Sequence, residues 1–459
     1  MKRLLFLSAI FFSIFSSFGQ SQVISGSWWG TIELPGQSLN MGFEIISDTD
    51  GSISGSMDVP AQGARGIPVQ VLKAVNDTLE VEIQAINARY SGVRSSDDLI
   101  AGTFTQNGLS FDLDLQPGRI KSHRPQTPVP PYPYLTDEVT FENSEEGAVL
   151  SGTLTYPMMH FRYPSGTIPV VLMVTGSGMQ NRDEEVYDHK PFAVLAHHLA
   201  INGIASLRYD DRGFAKSTGP VEGTTTVNNK SDADAGIAYL RSLDKFGKIG
   251  VLGHSEGGTI AFMMGADSPV DFIVSMAGTA ASGIDVMLGQ NAAALKLGGI
   301  PQSVTDQYCT ALKIIFNDRV SRRTADDPEQ YIDDICRSNE ISLPPALQAN
   351  LVQVISSGGQ WMDWFLAFDP AESIRRISCP VFALNGTHDL QVLSKDNLPV
   401  ISENLPHNSL NLIKEYDSLN HLFQHCTYQN SMNYYAIEET ISEDVLKDIS
   451  DWIKKVSNQ

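Results

Sequence analysis

Between residues 168 and 277, short apolar runs alternate with segments of helical character, and this rhythm constrains the fold more than any other feature of the chain. IPVVLMV precedes PFAVLAHHLAING, IASLRYD precedes KSDADAGIAYLRSL, KIGVLGH precedes SEGGTIAFMMGA, and DFIVSMA follows. Apolar runs without polar alternation are buried on both faces, so the series predicts a parallel sheet covered by helices on each side. The alternation stops near 280 and resumes after about 372 with PVFALNG, LNLIKEY and the helix SEDVLKDISDWIKKV. NAAALKL, VTDQYCTALKIIF and PPALQANLVQVI, in between, read as helices. Such an insertion between two strands is expected as a helical lid over the strands' carboxyl ends, where open α/β sheets bind ligands.

Upstream, DEVTFEN and AVLSGTLTYP read as an antiparallel pair. Residues 24–120 look all-β: WWGTIEL, MGFEII, SISGSMDV, TLEVEIQAI, LIAGTFT and LSFDLDL are separated by turn signals, which predicts a small barrel or sandwich. Trp28 and Trp29 are read as closing this β core, with a carbohydrate platform as the other reading. RPQTPVPPYPY is too Pro-rich for a helix or central strand. Residues 121–134 are therefore expected as a linker, with the second domain spanning 135–459 and its lid lying at about 280–372.

A chain of 459 residues exceeds one ordinary core. Its net charge of −21 speaks against binding nucleic acid or docking on anionic membranes. The opening MKRLLFLSAIFFSIFSSFGQSQ has a basic start, an apolar run shorter than the roughly 20 residues a spanning helix needs, and small residues after it. It reads as a signal peptide ending near residue 20, with an uncleaved anchor as the alternative. Export would place the mature chain in the periplasm or outside the cell, with no membrane insertion. Of the four cysteines, Cys309 and Cys336 are the expected pair if a disulfide forms, and free thiols are the alternative. No C-x-x-C, HExxH or GxxxxGK[ST] pattern occurs, so neither a metal nor a cofactor is expected. Oligomeric state is not legible.

In GHSEGG, Ser255 stands between a strand and a helix, with Gly253 and Gly257 permitting a sharp turn that lifts the hydroxyl out. A serine needs a base to take its proton and a third group to orient that base. In a fold of this kind they follow the serine in the order acid, then histidine. Asp389, after PVFALNG, and His421, in NHLF, each lie just beyond a strand in that order. His388, His425 and Asp417 compete locally, His197 and His198 read as surface residues on a helix, and His254 reads as packing beneath the turn. The Glu256 amide supplies one oxyanion donor. The second is expected from TGSG, with Ser177 preferred over Gly178. Asp183, Glu184 and Glu185 are expected to favour the N-terminus of the helix at 191, contact with a cationic substrate being the other reading. Asp211 and Arg212 are expected to pair with each other.

VTGSGMQNRDEE, RYDDRGFAKSTG, GHSEGG, NGTHDLQV and NHLFQ together resemble the α/β-hydrolase superfamily over residues 135–459. Within it they are similar to bacterial carboxylesterases and serine-aminopeptidase-like hydrolases. The resemblance implies a metal-independent hydrolase with Ser255, Asp389 and His421 as triad and the Ser177 and Glu256 amides as oxyanion hole. Thr175 stands where many relatives have His. The N-terminal β domain resembles a module that precedes such hydrolases in secreted bacterial proteins. Three readings follow: a serine carboxylesterase acting on a small-molecule ester, an aminopeptidase with the same machinery, and a binding protein on an inactive hydrolase scaffold.

Overall fold

The computed structural model describes residues 23–34, 37–48, 51–120, 122–158, 164–267, 270–322 and 327–458. The expected signal peptide lies outside them. Two units divide the chain, Met1–Lys121 and Ser122–Gln459.

The N-terminal unit is an antiparallel meander. Strands β1 (Gly26–Leu34), β2 (Gln37–Ser47), β3 (Ile53–Val59), β4 (Ala64–Val75), β5 (Thr78–Ile83), β6 (Ala88–Ser96), β7 (Leu99–Gln106) and β8 (Leu109–Asp112) each pair with the next. The tight turns follow from their residues: Asn76 and Asp77 take φ of 53° and 57°, and Asn107 and Gly108 take 49° and 85°, the geometry of a two-residue hairpin turn. The last strand, β9 (Gln116–Pro117), returns to pair with β1, while Leu115 just before it exchanges backbone hydrogen bonds with Ile100 of β7. This return joins the seventh strand to the first and makes the sheet a barrel. Trp28, Phe43, Met57, Tyr90 and Phe104 fill it. Trp28 is thus a core residue, and Trp29 is half-buried.

The second unit begins with the Pro-rich stretch, which is bound to it. Arg124 donates to the carbonyls of Tyr187 and Tyr435 (2.9 and 2.8 Å), and Gln126 brackets the backbone of Thr440 and Ile441. An antiparallel pair, β10 (Tyr134–Asn143) and β11 (Ala148–Pro157), leads into β12 (Val170–Val174), α1 (Pro191–Ile201), β13 (Ala205–Tyr209), α2 (Thr226–Ser242), β14 (Ile249–His254), α3 (Glu256–Asp267) and β15 (Ile273–Met276). Five helices follow: α4 (Gly283–Leu297), α5 (Gln302–Val320), α6 (Pro328–Ser338), α7 (Pro345–Ile355) and α8 (Gly359–Ala367). Then come α9 (Pro370–Ile374), β16 (Val381–Gly386), α10 (Ser394–Asn404), β17 (Leu412–Tyr416) and α11 (Glu443–Ser457). The sheet order is β10-β11-β13-β12-β14-β15-β16-β17, parallel from β13 to β17.

Every residue of β12 is buried, as a central parallel strand requires. Val170, Leu172 and Val174 pack toward α2, α3 and α10, whereas Val171 and Met173 pack toward α1 and α11. The chain runs from β12 to β13 on one side and then crosses to β14 on the other. The carboxyl ends of β12 and β14 therefore flank a crevice at the point where strand order reverses. Helices α4 to α8, inserted between β15 and β16, carry their own core around Tyr308, Leu312, Phe316 and Leu351. Cys309 and Cys336 lie half-buried at its edge, and the expected disulfide between them is absent: all four cysteines are free thiols, and the Cys309 sulfur turns instead toward the Leu288 carbonyl. No helix among the described residues is long and apolar enough to cross a membrane.

Candidate active site

Ser255 occupies the single residue between β14 and α3 with φ of 54°, a left-handed conformation that a side-chain-bearing residue adopts only when its surroundings enforce it. The enforcement comes from two glycines. A Cβ on Gly253 would stand 1.9 Å from the Gly257 carbonyl oxygen, and one on Gly257 would stand 2.1 Å from that of Val174. Only glycine lets the helix start press this closely onto the ends of β14 and β12. The Ser255 N–H donates to Met276 O at 2.9 Å, tying the turn to β15.

Asp389 and His421 meet at the neighbouring strand ends. His421 Nδ1 donates to Asp389 Oδ2 at 2.8 Å, with the aspartate side chain fully buried. The other oxygen, Oδ1, accepts from the Gln391 and Val392 amides at 2.8 and 2.9 Å. The carboxylate is thus held in place and saturated, and it fixes the tautomer of His421 with Nε2 free to accept a proton. The His421 loop is pinned by Asn420, whose Oδ1 accepts from the Leu422 and Gln424 amides. Gln424 in turn reaches His189 Nε2 and the Glu439 carbonyl.

His254, expected as a packing residue, is a polar bridge. Its ring lies 4.7 Å from that of His421, Nε2 donates to the His421 carbonyl at 2.9 Å, and Nδ1 faces Glu184 Oε1 at 3.0 Å. Both ring nitrogens thus point at acceptors, which favours the doubly protonated imidazolium. Burial pulls the His254 pKa down, but the Glu184 charge and these hydrogen bonds outweigh it and hold the group above its ordinary value.

The TGSG loop passes close to the serine: a Cβ on Gly176 would sit 3.2 Å from the Ser255 Cβ. Gly176 N donates to Glu184 Oε1 at 2.8 Å, so that amide is already engaged, and Ser177 and Gly178 follow it along the loop. Asp183 serves the N-terminus of α1, which starts with Pro191, through its backbone carbonyl, which accepts from Phe192 N at 3.1 Å, and the carboxylates of Asp183 and Glu184 have other partners. The Asp183 carboxylate pairs with Arg208 and Lys190, while Glu184, at φ of 52°, turns inward to Gly176 and His254. Nor do Asp211 and Arg212 pair with each other. Arg212 binds Asp232 and Glu146, whereas Asp211 accepts from Thr175 Oγ1 and the Gln180 amide at 2.9 and 2.8 Å. Thr175 therefore stitches this loop to the end of β13. Burial pushes the Asp211 carboxyl up to about 7, against the pull of those hydrogen bonds. His197 and His198 are half-buried rather than surface residues, the second within hydrogen-bond distance of Ser450 on α11.

Glu256, named for its amide, has a side chain with a second task. Its buried carboxylate accepts from Thr226 Oγ1 at 2.6 Å and from Trp361 Nε1 at 3.0 and 3.1 Å, and burial raises its pKa. Trp361, on α8, stacks on Phe365 with ring centroids 5.2 Å apart. Through this contact the inserted helices touch the residue after Ser255. No local signal in the sequence marks Trp361 for this role. Among the described residues no cluster of side chains suits a metal ion.

Residues 146–414 match the X-Pro dipeptidyl-peptidase (S15) family. Esterase EstD of Thermotoga maritima is 25% identical over 325 residues, covering 70% of each chain. Among solved structures, an esterase of Pyrococcus furiosus aligns with 74% of this chain and 99% of its own, at 15% identity and a TM-score of 0.43. A proline iminopeptidase of Mycobacterium smegmatis aligns with 70% of this chain and 99% of its own, at 14% identity and a TM-score of 0.39. The family match covers more than half of the sequence and includes the GHSEGG turn and Asp389: the chain belongs to the X-Pro dipeptidyl-peptidase (S15) family, and it is a serine hydrolase of the α/β-hydrolase superfamily.

Proposed function

We propose that the protein is an exported carboxylesterase that cleaves small carboxylic esters through an acyl-enzyme on Ser255. The observation that carries this reading is the buried Asp389–His421 hydrogen bond set beside a strained serine turn. His421 Nε2 takes the Ser255 proton as Oγ attacks the ester carbonyl, and Asp389 stabilises the imidazolium. The Glu256 and Ser177 amides hold the oxyanion. His421 then protonates the leaving alcohol, and a water attacks the acyl group by the reverse of these transfers. In this reading the helices α4 to α8 act as a lid, and the contact of Trp361 with Glu256 supports that role. Export rests on the form of the first 20 residues.

Family membership favours a second reading, hydrolysis of peptide bonds next to proline. The esterase is preferred because EstD, alike over 70% of the chain, is named as one. Hydrolysis of p-nitrophenyl acetate and butyrate by the wild type and by Ser255→Ala, beside aminoacyl and Xaa-Pro p-nitroanilides, separates the two. Ester turnover lost in the variant supports the proposal. Anilide turnover well above ester turnover makes the protein a peptidase. A folded protein that turns over neither, and that a fluorophosphonate does not label, is a binding protein.

A further inference from the structure

An open cavity of about 470 Å³ lies against Asn181–Asp183, part of the loop that also carries Ser177 and Glu184, and none of Ser255, Asp389 and His421 lines it. Strands β10, β11 and β13, helix α1 and the Pro-rich segment form its walls. Four cations face it, Arg182, Lys190, Arg208 and Lys216, against three carboxylates, Glu138, Asp183 and Asp210. A local cationic surplus runs against the charge of −21 on the whole chain.

The four cations are not equally occupied. Arg182 is saturated, its nitrogens divided among Asp210, Glu138, Thr153 and Ser151. Lys216 is exposed and pairs with Glu138. Arg208 is nearly buried and is short of acceptors: Nη1 binds Asp183, but Nε is buried with no partner. Asp183 is also shared with Lys190 at 3.7 Å, and Lys190 makes its other contact with Glu185, outside the cavity. One carboxylate therefore serves two cations, an arrangement that leaves a guanidinium underused at a real cost in a buried site. Facing these charges is a flat apolar surface. The rings of Tyr132 and Tyr134 stack 5.1 Å apart and 7° from parallel, and Pro128 and Ala193 continue the lining. Tyr132 is 37% exposed, so its ring is open to a ligand.

We propose that this cavity is a binding site for a small aryl carboxylate, separate from the hydrolytic site. Its carboxylate faces Lys190 and Arg208, the two cations that share Asp183, and its ring lies along Tyr132. The proposal does not depend on whether the enzyme cleaves esters or peptides.

Calorimetric titration of the full chain with benzoate tests it, using Ser255→Ala to set aside occupancy of the hydrolytic site. Saturable binding is expected in both proteins. Lys190→Ala, which removes a charge-assisted contact, and Tyr132→Ala, which removes the ring contact, alter accessible side chains and should each weaken it roughly 10-fold. Unfolding curves check that both variants stay folded. Absence of saturable binding up to about 10 mM benzoate overturns the proposal. So does binding that neither variant alters. Inorganic phosphate binding as tightly as benzoate would remove the ring from the recognition and overturn it equally.

Discussion

Glu184 and His254 form a buried ion pair, Oε1 to Nδ1 at 3.0 Å, one residue before the strained Ser255. The same carboxylate oxygen also accepts from the Gly176 amide, and the other nitrogen of the same imidazole donates to the His421 carbonyl. One pair thus braces the TGSG loop, the serine turn and the histidine loop together. Glu184→Ala should remove the charge that keeps His254 protonated and leave the Gly176 amide without its acceptor, costing roughly 1–3 kcal/mol of stability, read from denaturant unfolding. Because the His254 pKa is raised on folding, its contribution is full below the unfolded value of about 6.5 and is lost as pH rises through the folded value. The wild type should therefore lose Tm on the alkaline side, and Glu184→Gln should lose less. Parallel Tm curves for the two proteins from pH 6 to 9 would dismiss the ion pair.

Ser255→Ala and His421→Ala should each reduce kcat by a factor on the order of 10⁴–10⁶ and fold normally. Asp389→Asn should reduce it by roughly 10⁴, because an amide in place of Oδ2 no longer holds Nδ1–H and the wrong tautomer results. Steady-state kinetics on p-nitrophenyl butyrate measure all three. A Ser255→Ala protein retaining a tenth of the activity would show that the nucleophile lies elsewhere.

The Asp211 carboxyl, raised by burial to about 7, makes the opposite kind of group contribute in the same direction. A folded-state pKa above the unfolded value of about 3.9 means that its contribution is full at low pH and is lost as pH climbs toward 7. Asp211→Asn keeps an acceptor for Thr175 or Gln180 and carries no charge. It should narrow the Tm difference between pH 5 and pH 8 relative to wild type. An unchanged difference would show that Asp211 ionises as an ordinary surface carboxylate.

Trp361→Phe preserves the stack on Phe365 and removes the only indole N–H that reaches Glu256. The buried carboxylate would then rely on α2 for donors, at a cost of about 1–3 kcal/mol. If α4 to α8 cover the site, KM should change more than thermal unfolding predicts, whereas an unaltered KM would confine Trp361 to a structural role.

How far the sequence could be read depended on the range of each interaction. The strands around Ser255 were legible because burial on both faces writes itself as uninterrupted apolar runs such as VVLMV. Asp389 and His421 were legible because each follows its strand within a few residues. The Glu184–His254 bridge joins residues 70 apart, and the Glu256–Trp361 contact joins residues 105 apart. Nothing local distinguishes such a glutamate from one that favours a helix start. The partner of Arg212 is hidden for the same reason: Asp232 lies on α2, and adjacency to Asp211 is the weaker guide.

The return of residues 113–117 across the N-terminal unit carries a consequence for how that unit forms. Strands β1 to β8 each pair with their neighbours in the chain, the bridge of Val23 to Val75 aside, so those hairpins can assemble in succession at small entropic cost. The closing contacts, Trp28 with Pro117 and Trp29 with Gln116, bring together residues from opposite ends of the domain. Closure is therefore expected as the late step in folding. Until it happens, β1 offers an unpaired edge on which a second nascent chain could add a strand, and afterwards Ser27, Trp28 and Trp29 of that edge are covered.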